Sequence, residues 1–152
     1  MLLQKLSDAR GVSGDEDAVR QILIEEIAPH VDTYRVDNIG NLIVTVHARE
    51  GVERPHRVMV AAHMDEVGLM IKQIGKDGLL HIRAVGGIDP RVLPAKRVLV
   101  GKEAIPGVIG VKPIHLITRE EEQQVIKIDQ LYIDIGAKSK EDAECVVHLG
   151  DA

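Results

Sequence analysis

Apolar residues along this chain change their spacing near residue 66, and the change divides it into two parts. Leu2, Leu3 and Leu6 recur at helical spacing and predict a short amphipathic helix, broken by Gly11 and Gly14. Asp15 is placed to cap a second helix that carries Val19, Ile22, Leu23 and Ile27 on one face and is closed by Pro29. Two strands follow, at 33–37 and 41–48, joined by Asn38-Ile39-Gly40. The charged stretch 49–56 then leads into Arg57-Val58-Met59-Val60-Ala61-Ala62, whose apolar continuity predicts a buried strand. From Val67 onward the apolar runs are short and punctuated: 67–74, Gly75-Lys76-Asp77-Gly78, 79–85, Gly86-Gly87, 97–100, 105–111 and 130–135. That rhythm predicts a small barrel or sandwich. Ser139-Lys140-Glu141-Asp142 has the form of a capping box opening a short helix through Cys145, and Val146-Val147-His148-Leu149 is expected to begin another strand.

Composition narrows the function classes. With 152 residues and 45% apolar content the chain can bury a core, but it has no Trp or Phe, so that core must be aliphatic. Tyr34 and Tyr132 are its only aromatic side chains of that kind, and its net charge is −5 with basic residues scattered among acids. Nucleic-acid binding is disfavoured on both counts, since it needs stacking platforms and clustered Lys and Arg. Cys145 is the sole cysteine, so no internal disulfide forms. Without a neighbouring His-Asp arrangement it reads as a packing residue. The amino terminus lacks the apolar core of a signal peptide, and no run approaches the ~20 residues of a membrane span, so a soluble cytoplasmic protein is expected. There is no internal repeat, and Glu120-Glu121-Glu122 reads as a solvated turn or helix face.

His63 is the candidate for chemistry. It stands at the expected carboxyl end of the 57–62 strand, where α/β enzymes build their sites, and Asp65 follows two residues later. A ligating imidazole usually donates its other ring N–H to an acceptor that fixes its aim, so His63 could bind a metal and Asp65 could orient it. The same two residues also suit a hydrogen-bonded histidine at a strand end, with Asp65 capping the next turn. His30, His47, His56, His81 and His148 lie in polar or strand contexts and are given no functional role, while His115 follows Pro113 in a turn. Gly86-Gly87-Ile88-Asp89 lacks the glycine spacing, lysine and helix start of a phosphate loop.

Four motifs carry a resemblance that spans essentially the whole chain: Gly11-Val12-Ser13-Gly14-Asp15-Glu16, Asp37-Asn38-Ile39-Gly40-Asn41-Leu42, Ala62-His63-Met64-Asp65-Glu66-Val67-Gly68, and Pro106-Gly107-Val108-Ile109-Gly110-Val111-Lys112-Pro113-Ile114-His115. Leu131-Tyr132-Ile133-Asp134-Ile135-Gly136-Ala137 and Gly150-Asp151 fit as well. In order and spacing these resemble the tetrahedral-type metalloaminopeptidases, the family of glutamyl and deblocking aminopeptidases, some of whose members are labelled endoglucanase M or cellulase M. The resemblance implies an α/β fold with inserted β. Residues 1–66 would be the amino-terminal segment of an α/β catalytic peptidase domain. Residues 67–152 would form a small, PDZ-like β-barrel assembly domain, incomplete at its carboxyl end.

The chemistry so implied is hydrolysis of amino-terminal residues from peptides, using two zinc or cobalt ions per active site. His63 matches a metal ligand of one ion, and Asp65 matches the catalytic-site aspartate whose carboxylate orients it. Members of the family run to roughly twice this length. The bridging aspartate, the pair of glutamates, a further aspartate and the distal histidine belong to family segments beyond residue 152. A catalytic zinc takes about three protein ligands, so the chain alone is expected to be inactive. Strand 57–62 is expected to lack neighbours and to invite self-association. The implied partners are a peptide substrate and either a homo-oligomer, a dodecamer in the family, or a complementing carboxyl-terminal fragment. The alternative is a non-catalytic assembly or regulatory module that associates with full-length relatives. A glycosidase is disfavoured, because a sugar groove wants flanking carboxylates and aromatic walls.

Overall fold

A computed structural model describes every residue of the chain except 54 and 120–122, so the expectation for Glu120-Glu121-Glu122 falls outside the described residues. The described chain divides into two compact units, Met1–Glu66 and Val67–Ala152.

In Met1–Glu66, helix α1 (Leu2–Asp8) and helix α2 (Asp17–Ile27) form where the helical spacing placed them. A Lys5–Glu26 ion pair of 2.6 Å joins them. The N-cap position of α2 is held by Glu16 and not Asp15; the Glu16 carboxylate turns back to accept from the Gly14 N–H at 2.7 Å. Past Ile27 the chain tightens into a 3-10 turn, Ala28–His30, in which Pro29 occupies an early position that needs no N–H donor. Strands β1 (Thr33–Val36) and β2 (Leu42–Thr45) pair antiparallel in the register Thr33 with Thr45 to Val36 with Leu42. Asp37 builds the turn between them: one carboxylate oxygen accepts from the N–H groups of Ile39 and Asn41, and the other from the Asn41 side chain. Arg20 of α2 donates to the Gly40 carbonyl at 2.7 Å and so fastens the helix to this turn.

Residues 57–62 correct an expectation. They form no strand, and Val58, Met59 and Val60 are 82%, 91% and 91% exposed. Among the described residues no strand pairs with this apolar run, and a strand without a ladder leaves its N–H and C=O groups to water.

In Val67–Ala152 five strands form one antiparallel sheet: β3 (Gly68–Ile74), β4 (Leu80–Val85), β5 (Arg97–Val100), β6 (Ile105–Val111) and β7 (Leu131–Asp134), in the order β3-β4-β7-β6-β5. Alternation sets the inner face. Ile71 lies opposite Ile82, while Ile133 lies opposite both Leu80 and Ile109, and all five are buried. Leu93, Ala143 and Val147 from the connections complete the core. The sheet is curled, but no ladder joins β3 to β5. The segment after helix α3 (Lys140–Glu144) stands between those two rims: Ile71 exchanges hydrogen bonds with Gly150 and Asp151 at 2.9 Å each, and the Gly101 N–H donates to the Ala152 carbonyl at 2.8 Å.

The PDZ-like barrel assembly domain expected over 67–152 is therefore not what the chain contains; its strands make an open antiparallel sheet that curls without closing strand to strand. Ser139 does cap α3, its hydroxyl accepting from the Asp142 N–H at 3.2 Å. Two local expectations fail beside it. Residues 146–149 form turns, not a strand, because Val147 drops alone into the core while the Asp151 carboxylate takes the His148 N–H at 2.8 Å. Cys145 does not pack inward: it is exposed, and its thiol donates to the Glu141 carbonyl one turn back. His115 lies in a 3-10 turn following Pro113. No helix among the described residues is long and apolar enough to cross a membrane.

Candidate functional site

The loop between α1 and α2 and the segment that carries His63 are brought side by side. The Glu66 N–H donates to the Gly11 carbonyl at 2.7 Å, and Val12 and Glu66 form a parallel bridge. Close approach requires glycine at position 11: a Cβ there would lie 2.6 Å from a Val19 methyl and 3.3 Å from the Met64 carbonyl oxygen. Two motifs separated by about fifty residues in the chain thus become one site.

Asp65 is the hub of that site. The Ser13 hydroxyl donates to one of its carboxylate oxygens in a very short contact, and the other oxygen lies 3.1 Å from His63 Nδ1. The Asp65 main-chain carbonyl oxygen lies 3.0 Å from the same nitrogen. A carbonyl oxygen can only accept, so Nδ1 carries a proton and Nε2 is the nitrogen left outside this contact. The imidazole is 84% exposed, so Nε2 faces solvent. Hydrogen bonding from Ser13, joined by the contact with His63, holds the Asp65 carboxyl below the usual carboxylate range. At neutral pH the group is an anion, the form that accepts from both neighbours.

Sequence reasoning named His63 and Asp65, and the structure brings them into contact. It missed Ser13, whose partner is 52 residues away. The available signal was that Ser13 lies in one family-like motif and Asp65 in another. Among the described residues no three His, Cys, Asp or Glu side chains cluster in a way that could hold a metal ion.

Comparison with known proteins identifies the surroundings of this site. A putative aminopeptidase of Escherichia coli K12, FrvX, is 40% identical over 146 residues, covering 94% of this chain and 40% of its own length. The TET aminopeptidase from the marine sediment archaeon Thaumarchaeota archaeon SCGC AB-539-E09 superposes with a TM-score of 0.89 at 35% identity, over 99% of this chain and 42% of that one. The Pyrococcus horikoshii TET1 peptidase, which assembles into a tetrahedron or a large octahedral shell, gives 0.82 at 42% identity over 99% and 45%. The chain spans about two fifths of the length of these relatives and matches their amino-terminal part. The M42 glutamyl aminopeptidase family matches residues 40–152, well over half of the chain, which accordingly belongs to that family.

Proposed function

We propose that residues 1–152 are the amino-terminal part of a metal-dependent aminopeptidase, in which His63 ligates one of two zinc or cobalt ions and Asp65 orients it. The substrate is a peptide with a free amino terminus, and residues 1–66 belong to the peptidase domain. The observation that carries this reading is the His63 ring, held on its Nδ1 side by Asp65 and open on its Nε2 side.

The residues present fit one ligand with its orienting acid. Catalytic zinc takes about three protein ligands and a water, so we assign the other ligands and the proton-moving glutamate to polypeptide outside 1–152, and no turnover to 1–152 alone. When bound, such ions supply Lewis acidity toward water and the scissile carbonyl. The chain's own contribution is positional. Ser13 steadies the Asp65 carboxylate, and Asp65 keeps the imidazole in the Nδ1–H tautomer with Nε2 aimed outward. The assembly of TET1 supports homo-oligomerisation for the protein to which this segment belongs.

A chimera tests the reading: residues 1–152 replace the matching segment of Pyrococcus horikoshii TET1, and metal content and release of amino-terminal residues are measured. The chimera should hydrolyse aminoacyl anilides, while residues 1–152 alone should not. In the chimera His63→Ala should strip metal and lower turnover by orders of magnitude. Asp65→Asn should cost about 10–100-fold in metal affinity or activity, the usual loss when an orienting partner is removed. Unchanged metal content in His63→Ala would remove His63 from the ligand set.

A further inference from the structure

Three of the sequence motifs meet along one line of contacts that ends at His63. The turn between β1 and β2 offers its Gly40 carbonyl, which accepts from Arg20 Nε at 2.7 Å. Gly40 has φ +90°, and a Cβ there would stand 2.7 Å from Arg20 Nη2, so glycine leaves the room that the guanidinium fills. The Arg20 side chain is only 13% exposed. Besides pairing with Asp17 on its own helix, it lies 3.7 Å from one oxygen of Glu16, whose other oxygen takes the Gly14 N–H at 2.7 Å. Gly14, at φ +94°, lets the chain fold back so that the Asp15 N–H donates to the Val12 carbonyl at 2.8 Å. Ser13 stands inside that turn and donates its hydroxyl to Asp65.

The seat of the 11–13 loop does not depend on this line of side chains. Main-chain groups hold it, through the Glu66 N–H on the Gly11 carbonyl and the bridge between Val12 and Glu66. We propose that Glu16 and Arg20 are positioning residues, which act through the Ser13 turn to hold Asp65, and with it the His63 ring, in one orientation before a divalent cation arrives. A ligand already aimed loses less freedom on binding, so cation affinity depends on side chains that never touch the cation. The inference rests on the reading of His63 and Asp65 given above and extends it to the start of α2 and to the 37–40 turn.

A double-mutant cycle with two readouts tests it. In residues 1–152 without metal, nitrogen NMR of the His63 ring in alkaline buffer should show one dominant Nδ1–H form in the wild type, and a mixture of both tautomers in Ser13→Ala and in Glu16→Ala. In the TET1 chimera, cobalt affinity should fall about 3–10-fold in Ser13→Ala, less than for a direct orienting partner because the hydroxyl acts one contact further out. Glu16→Ala should cost about twofold or more, and nothing further once Ser13→Ala has cut the line. Arg20→Ala, which leaves the Glu16 position of the helix start untouched, should move both readouts the same way. Ser13→Thr, which keeps the hydroxyl, should restore them. Additive losses in the double variant would overturn the proposal, as would wild-type His63 signals and cobalt affinity in Glu16→Ala. Displaced Gly11 and Glu66 amide signals in Glu16→Ala would reject it too, because the loop itself would then have moved. Cobalt retained in His63→Ala would remove the ligand reading instead, while the tautomer measurement would still decide whether this line of contacts holds the ring.

Discussion

The two units of this chain bury their side chains very differently. Among the described residues Val19 is the only buried apolar side chain of Met1–Glu66, and every other one belongs to Val67–Ala152. In the second unit, strand alternation sends Ile71, Leu80, Ile82, Ile109, Leu131 and Ile133 to one face, and the connections cover them. In the first unit both hairpin strands are largely exposed, and the segment that carries His63 is held by a few hydrogen bonds to the 11–13 loop. Candidate chemistry and self-sufficient packing therefore reside in different places. Stability measured on this chain reports on the sheet, and the proposed metal ligation belongs to the loop.

The sharpest way to break that contrast is Leu80→Ala. Leu80 is wholly buried, and loss of its side chain should destabilise the second unit by about 2–5 kcal/mol in urea denaturation followed by circular dichroism. Val60→Ala in the first unit removes a side chain already in water and should stay within about 0.5 kcal/mol. Comparable losses from the two would erase the distinction.

A smaller effect is expected at the β3–β4 turn. Gly78 has φ +82°, and a Cβ there would stand 2.7 Å from the Ala137 carbonyl oxygen, which is backbone and cannot easily yield. Gly78→Ala should therefore lower stability by about 1–3 kcal/mol, with the midpoint falling and the slope unchanged.

The smallest effect concerns protons. Hydrogen bonds from Arg91, reinforced by its charge, lower the Asp89 carboxyl to about 2. A folded-state value below the unfolded one, about 3.9, means that the unfolded chain binds the proton more readily. The contribution of Asp89 is thus present above pH ~4 and fades as pH falls toward 2. Arg91→Ala should raise the Asp89 midpoint toward the ordinary value in an NMR titration. An unmoved midpoint would show that the pair does not persist in solution.

What the sequence made legible follows the same division. The strands of the second unit could be read because each is a short apolar run bounded by a turn, such as Gly75-Lys76-Asp77-Gly78, so local pattern and final structure agree. Their closure could not be read, since whether five strands meet edge to edge depends on pairings that periodicity does not encode. Residues 57–62 looked like a strand because they are apolar, but strand formation needs a neighbour, and composition supplies none. Val146-Val147 failed for a related reason, with one valine buried and the other exposed. At the site, His63 and Asp65 were visible because their contact is local. Ser13 was invisible to spacing because only the fold brings it to Asp65.

The seam made by residues 150–152 has a colloidal consequence. Sheet rims with free N–H and C=O groups can template endless stacking with neighbouring molecules. Here one short peptide blunts both rims together, bonded to Ile71 on one side and to Gly101 on the other. Those three residues therefore leave fewer free donors and acceptors on the two rims for a neighbouring molecule to pair with.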